Sequence, residues 1–251
     1  MTILSFTGID DSTDVDRLIR EISKYRNSGG CIELDFGVLF FPEKQGMPRN
    51  PGYFKRLEVV RQFYSTAHLC GKSIFNSILE TDHHSTSIIL EELKTFPCIQ
   101  LNINARSRVF DTNDVHSIYD RVCYDRYESK TVLQLHSKSE KDIFSYLDKS
   151  EKKYGPGDVH NRIQILLDES RGKGITRNDW KVPERLKDYR IRIAGGINAD
   201  NISDTYKRFT DANQRSPYVI DMESSIRTDD QFDIDKVMQV INTESLQFIY
   251  L

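Results

Sequence analysis

Two carboxylates and three turns of small residues define what chemistry this chain can do. Asp168 ends the apolar run Ile163-Gln164-Ile165-Leu166-Leu167, and Asp221 follows Tyr218-Val219-Ile220. An acidic side chain at the end of an apolar strand can give or take a proton where α/β enzymes keep their active sites. The turns lie beside them. Gly172 and Gly174 follow the Asp168 run, Gly195-Gly196 follows Ile191-Arg192-Ile193-Ala194, and Ser224-Ser225 follows the Asp221 run. Small residues let backbone N–H groups approach an anion closely, and the last two turns lead into segments with the character of helix starts. The pattern predicts a phosphate cradle with two carboxylates next to it.

Composition narrows the partners. The 251 residues, 38% of them hydrophobic, suffice for one substantial core. A net charge of -3 from 35 basic and 38 acidic residues, well mixed, gives no field to draw in nucleic acid or an anionic membrane. No apolar run approaches the roughly 18 residues of a membrane span, and Met1 leads directly into a strand-like run, so a cytoplasmic location is expected. Cys31, Cys70, Cys98 and Cys123 form no C-x-x-C pair. Cys31 and Cys98 lie in or beside apolar runs, as reduced, buried thiols do. His83-His84 beside Asp82 has no third ligand at suitable spacing, and neighbouring side chains on an extended chain point apart, so no metal is expected.

The elements that must position these groups follow from periodicity. Strands are predicted over 2–6, 31–41, 72–79, 98–102 and 131–135, then in the three runs before Asp168, before Gly195 and around Asp221. Helical spacing marks the segment from Val15 to Ile22, 53–70, 88–94, 115–122, 180–186, 201–209 and 232–241. Asp111 to Asp114 caps one helix, and Ser137 with Glu140 has capping-box spacing before another, which closes at 154–157. Residues 42–52 form a polar loop carrying Arg49, and the acid-rich stretch after Arg227 is expected to be a solvated loop. Eight strands alternating with helices, without a composition break, predict a single-domain (β/α)₈ TIM barrel over 1–251, with the polar groups at the strand ends.

The same residues carry a resemblance. Leu166-Leu167-Asp168, Gly172-Lys173-Gly174 and Asn178-Asp179-Trp180 look like the sixth βα unit of phosphoribosylanthranilate isomerases. Ile193-Ala194-Gly195-Gly196-Ile197-Asn198-Ala199-Asp200-Asn201-Ile202 resembles that family's L-A-G-G-L-N-P-E-N-V, and Val219 to Ile226 resembles its V-D-V-S-S-G-V-E. Phe6-Thr7-Gly8-Ile9 is similar to its K-I-C-G-I, and Phe41-Pro42 with Pro48-Arg49 to its F-x-P-K-S-P-R. The resemblance implies a cofactor-free Amadori rearrangement, tryptophan-biosynthesis type, turning a phosphoribosyl arylamine into an aminodeoxyribulose phosphate. That aldose–ketose isomerisation needs an acid at the ring oxygen and a base at C2. Asp168 would be the acid, Arg49 would face the anthranilate carboxylate, Asp221 would face the substrate, and Gly172, Gly174, Gly195, Gly196, Ser224 and Ser225 would surround its phosphate.

Departures from the family pattern bear on the base. Thr7 stands where the family carries its catalytic cysteine, and a hydroxyl is a far weaker acid than a thiol of pKa about 8.5. Asp10, Asp35 and Glu223 are the candidate replacements. Gly172-Lys173-Gly174-Ile175 replaces G-G-[ST]-G, and Ser225 replaces a glycine. Gln100-Leu101-Asn102 ends the fourth strand where the family shows Q-L-H, while Gln134-Leu135-His136 is assigned by strand count to the fifth. The alternative to a sugar-phosphate isomerase is an altered or inactive barrel that holds a phosphorylated ligand as a sensor or partner module.

Overall fold

A computed structural model describes residues 2–44, 49–80, 88–103, 110–125, 129–137, 139–168 and 180–243. Eight parallel strands close into a barrel in sequence order: β1 Ile3–Thr7, β2 Glu33–Phe40, β3 Ser65–Leu69, β4 Cys98–Leu101, β5 Lys130–Leu135, β6 Ile163–Leu167, β7 Arg190–Ala194 and β8 Val219–Met222. The ring shuts where β1 pairs with β8, Ser5 opposite Asp221. Outside it lie α1 Val15–Asn27, α2 Tyr53–Gln62, α3 Lys72–Glu80, α4 Ile88–Leu93, α5 Thr112–Asp120, α6 Glu140–Tyr154, α7 Pro156–Arg162, α8 Ile202–Asn213 and α9 Ile234–Ile241.

Alternation along the strands sorts residues into two layers. Leu4, Phe6, Phe36 and Val38 are buried among the apolar residues of the core, as are Leu18 and Ile22 of α1. The lumen is polar. Arg192 on β7 donates to Gln164 Oε1 at 2.6 Å, to Asp35 Oδ2 at 3.2 Å and to Cys98 Sγ at 3.2 Å, contacts with β2, β4 and β6. The reach to β2 and β4 can only cross the interior. Asp35 Oδ2 also accepts from Thr66 at 2.6 Å and Ser5 at 3.2 Å. A guanidinium 1% exposed needs such pairing, since an isolated buried charge costs many kcal/mol. This ion pair closes the barrel below the cavity, and Cys98, Val132, Leu166 and Ala194 pack as a small apolar cluster beside it.

Several expectations are corrected. The third strand is Ser65–Leu69, and the segment expected as that strand, 72–79, is helix α3. Ile74, Phe75 and Ile78 fall on one buried helical face, so the apolar run belongs to helix packing. The helix expected over 53–70 stops at Gln62. At 180–186, Pro183 interrupts the run and only Glu184–Leu186 forms a single 3₁₀ turn. α6 has Ser139 as N-cap, without a side-chain bond, so the box expected from Ser137 does not form. After Arg227 the chain makes a hairpin, β9 Arg227–Thr228 and β10 Gln231–Phe232, whose residues 228–231 are exposed, so the stretch is solvated as expected but paired. Cys31 is exposed, while Cys98 is buried as expected.

Candidate active site

At the C-terminal ends of the strands the barrel opens into a cavity of ≈ 380 Å³, within the range of about 300–1,000 Å³ typical of small-molecule sites. Asp168, Asp221, Arg49, Gly195, Gly196, Ser224 and Ser225 all line it. Thr7 lies directly behind Asp221, 1% exposed, and is bonded to it. Gly172 and Gly174, and the pair His83-His84, lie outside the described residues. Among the described residues, no three His, Cys, Asp or Glu side chains group to hold a metal ion, and no helix is long and apolar enough to cross a membrane.

The loops after β7 and β8 are fastened to each other. Gly195 and Gly196 both take positive φ, 114° and 63°, a conformation that favours glycine. Asn201 Nδ2 holds the Gly196 carbonyl at 2.8 Å, and its Oδ1 accepts from the Asn198 amide at 2.9 Å. Ser225 Oγ donates to the Ile197 carbonyl at 2.5 Å. The Ser225 hydroxyl therefore ties the two turns together. Two small-residue turns share one end of the cavity, geometry suited to an anion.

Opposite in character are the carboxylates. Asp168 directly follows β6, where Gln134 Nε2 on β5 donates to its Oδ2 at 2.9 Å. Asp221, on β8, accepts a 2.8 Å hydrogen bond from Thr7 Oγ1. Burial pushes the Asp221 carboxyl up to about 7, against the Thr7 hydrogen bond and the Arg192 charge that favour its ionised form; Glu223 and Asp35 push further upward. Thr7 Oγ1 also lies 3.3 Å from His68 Nε2. Burial, aided by Arg192, drives the His68 imidazole down to about 3, so it is neutral. Gly37 makes this approach possible, because a Cβ there would come within 2.1 Å of Thr7 Oγ1 and 2.8 Å of His68 Nε2.

Among the candidate replacement bases, only Glu223 lines the cavity. Asp10 is bound by Arg227 at 2.9 Å and by the Phe232 amide at 2.8 Å, and these bonds help hold its carboxyl below the usual range despite burial. Asp35 belongs to the Arg192 pair below. Glu223 Oε1 accepts from Arg49 Nη1 at 3.0 Å, and Arg49 Nε donates to Asp230 at 2.6 Å. Arg49 thus faces two carboxylates of its own chain at the mouth, with Lys44 as a further cation on the cavity wall.

Sequence reasoning missed His68, Gln134 as the partner of Asp168, Cys70 and Gln100. Burial raises the Cys70 thiol to about 12 despite the bond from Asn102. Gln100 is 3% exposed and lines the cavity, and its Oε1 has no hydrogen-bond partner among the described residues.

Residues 125–243 match the family model described as N-(5'-phosphoribosyl)anthranilate (PRA) isomerase. An N-(5'-phosphoribosyl)anthranilate isomerase of Streptococcus gordonii is 26% identical over 117 residues, covering 44% of this chain and 57% of that relative. Over this C-terminal half the chain is similar to that family. The match spans little more than half of that relative's length. Two solved structures share the fold: N-(5'-phosphoribosyl)anthranilate isomerase from Pyrococcus furiosus, 12% identical with TM-score 0.51, covers 96% of this chain and 97% of its own. Triosephosphate isomerase from Bartonella henselae, 9% identical with TM-score 0.51, covers 96% and 98%. Within the PRA isomerase match fall Asp168, Gly195, Gly196, Asp221, Ser224 and Ser225, whereas Thr7 and Arg49 lie before it.

Proposed function

We propose that the chain catalyses an Amadori aldose–ketose isomerisation of a phosphoribosyl arylamine, with Asp168 as proton donor to the ring oxygen. The observation that carries this reading is the meeting of Asp168 and Asp221 with the Gly195-Gly196 and Ser224-Ser225 turns in one cavity. The turns would hold the phosphate, and Arg49 would meet the aryl carboxylate once released from Glu223. No cofactor is invoked, because the reaction only moves protons within one molecule. Free thiols at all four cysteines support a reducing, cytoplasmic setting.

Incubation of the purified chain with phosphoribosylanthranilate, following loss of its fluorescence, tests the reading. Turnover in the parent and a loss of about 10²-fold or more in Asp168→Asn are expected. Ligand binding without turnover would favour the alternative, a non-catalytic phosphate-binding barrel.

A further inference from the structure

Resting on the isomerase reading, we propose that Asp221 is the general base that removes the C2 proton, with Thr7 as its positioning residue. The family's cysteine position is Thr7, whose Oγ1 lies 2.8 Å from Asp221 Oδ1. A carboxylate oxygen therefore sits one hydrogen bond from where the resembled family carries its thiol. Asp221 reaches the cavity lining, whereas Thr7 does not. The hydroxyl has become the carboxylate's support.

The bond counts close without any outside reagent. Asp168 gives its proton to the ring oxygen as the C1–O bond breaks, leaving an iminium at C1. Asp221 takes the proton from C2, and the C2–H electron pair moves into the C1–C2 bond, neutralising the iminium to an enolamine. Asp221 then returns its proton to C1 while the C2 hydroxyl proton passes to Asp168, which gives the aminoketone and restores both carboxyl groups.

Other bases in the neighbourhood are less suited. Cys70 also lines the cavity, but a thiol raised to about 12 holds almost no thiolate at neutral pH. His68 is a neutral imidazole too weakly basic for the task. Glu223 shares its charge with Arg49. The groups facing Asp221 are Thr7 on β1, Asp35 on β2, Arg192 on β7 and Glu223 beyond β8, and their combined effect with burial leaves a carboxyl of about 7, poised for general-base work. Small Ala194, its register partner on β7, lines the cavity with it.

The test uses the full chain, phosphoribosylanthranilate and substrate deuterated at C2. Asp221→Asn, which keeps shape and an acceptor for Thr7, is expected to lower kcat by about 10²–10⁴-fold with KM within a few-fold. In the parent, kcat/KM should fall tenfold per pH unit below about 7. Thr7→Val, which removes a hydrogen bond favouring the ionised form, should move that acid limb to higher pH with KM little changed, a shift that a merely structural role would not produce. Parent turnover with Asp221→Asn retaining more than a tenth of kcat, or with an acid limb that Thr7→Val leaves in place, overturns the assignment alone. So does loss of turnover in Cys70→Ala while Asp221→Asn still works. No turnover in the folded parent overturns the isomerase reading and this assignment together.

Discussion

Arg49 and Glu223 meet across the mouth of the cavity, Nη1 to Oε1 at 3.0 Å, so the cation expected to receive an aryl carboxylate is already engaged by a carboxylate of its own chain. Both side chains are about one-third exposed, 33% and 30%, and such a pair contributes at most about 1 kcal/mol to stability. Its weight falls on binding. Glu223→Gln is expected to leave the urea midpoint nearly unchanged yet lower KM for a carboxylated arylamine several-fold, whereas Arg49→Ala raises KM about tenfold or more. Steady-state kinetics on the two variants would check this. Equal KM values in parent and both variants would remove Arg49 from the binding site.

Gly37 sets the distance between β1, β2 and β3 at the site. A methyl there would lie 2.1 Å from Thr7 Oγ1 and 2.8 Å from both Thr7 Cβ and His68 Nε2, and neither neighbour has room to retreat, being 1% and 2% exposed. Gly37→Ala should cost roughly 1–3 kcal/mol through overpacking and should also misalign the Thr7 bond to Asp221. Adding Thr7→Gly to Gly37→Ala removes the clash with Thr7, leaves the approach to His68 for the imidazole to absorb by moving into the vacated space, and does not restore the hydrogen bond. Thermal melts should then recover while kcat does not, which separates packing from chemistry.

The barrel was legible in the sequence because its strands and helices alternate in apolar period, and the site carboxylates because they end strands. β3 was hidden for a physical reason. Thr66 and His68 serve a polar interior and Ser65 bonds the Phe63 carbonyl, so the strand lacks the apolar run that normally marks one, while Ile74, Phe75 and Ile78 of α3 supplied a decoy. Missing β3 meant missing His68 and Cys70. Arg192 lay within an apolar run, but only closure of the ring brings Asp35, Gln164 and Cys98 around it. The Thr7–Asp221 contact spans 214 positions, and no local pattern announces it.

Asp221 ties stability to pH. Its folded carboxyl titrates at about 7, above the unfolded value of 3.8, so between those values the folded state binds more protons than the unfolded one. Its contribution to stability is fully present below about pH 4 and is lost as pH rises through about 7. Asp221→Asn removes this dependence and keeps a neutral group of the same shape. The variant should be more stable than the parent at pH 8, by up to roughly 4 kcal/mol, with the gap closing towards pH 4. Urea unfolding of both proteins across that range would check it, and a gap that widens on acidification would contradict a raised Asp221.

The pair beneath the cavity couples the same group to the barrel floor. Arg192 and Asp35 are 1% and 0% exposed in their side chains, so Arg192→Leu leaves a buried carboxylate without its cation and should cost roughly 3–5 kcal/mol. Asp35→Asn in the same chain removes the stranded charge, and most of the loss should return, because a buried ion pair contributes little beyond cancelling its own desolvation. Activity should not return in step. Arg192 is among the charges that lower the Asp221 carboxyl and acts more strongly than Asp35, which raises it, so the acid limb of kcat/KM should stay shifted to higher pH in the restabilised double variant, by less than in Arg192→Leu alone. Urea midpoints that recover together with an unshifted limb would show that Arg192 serves the fold without acting on the site.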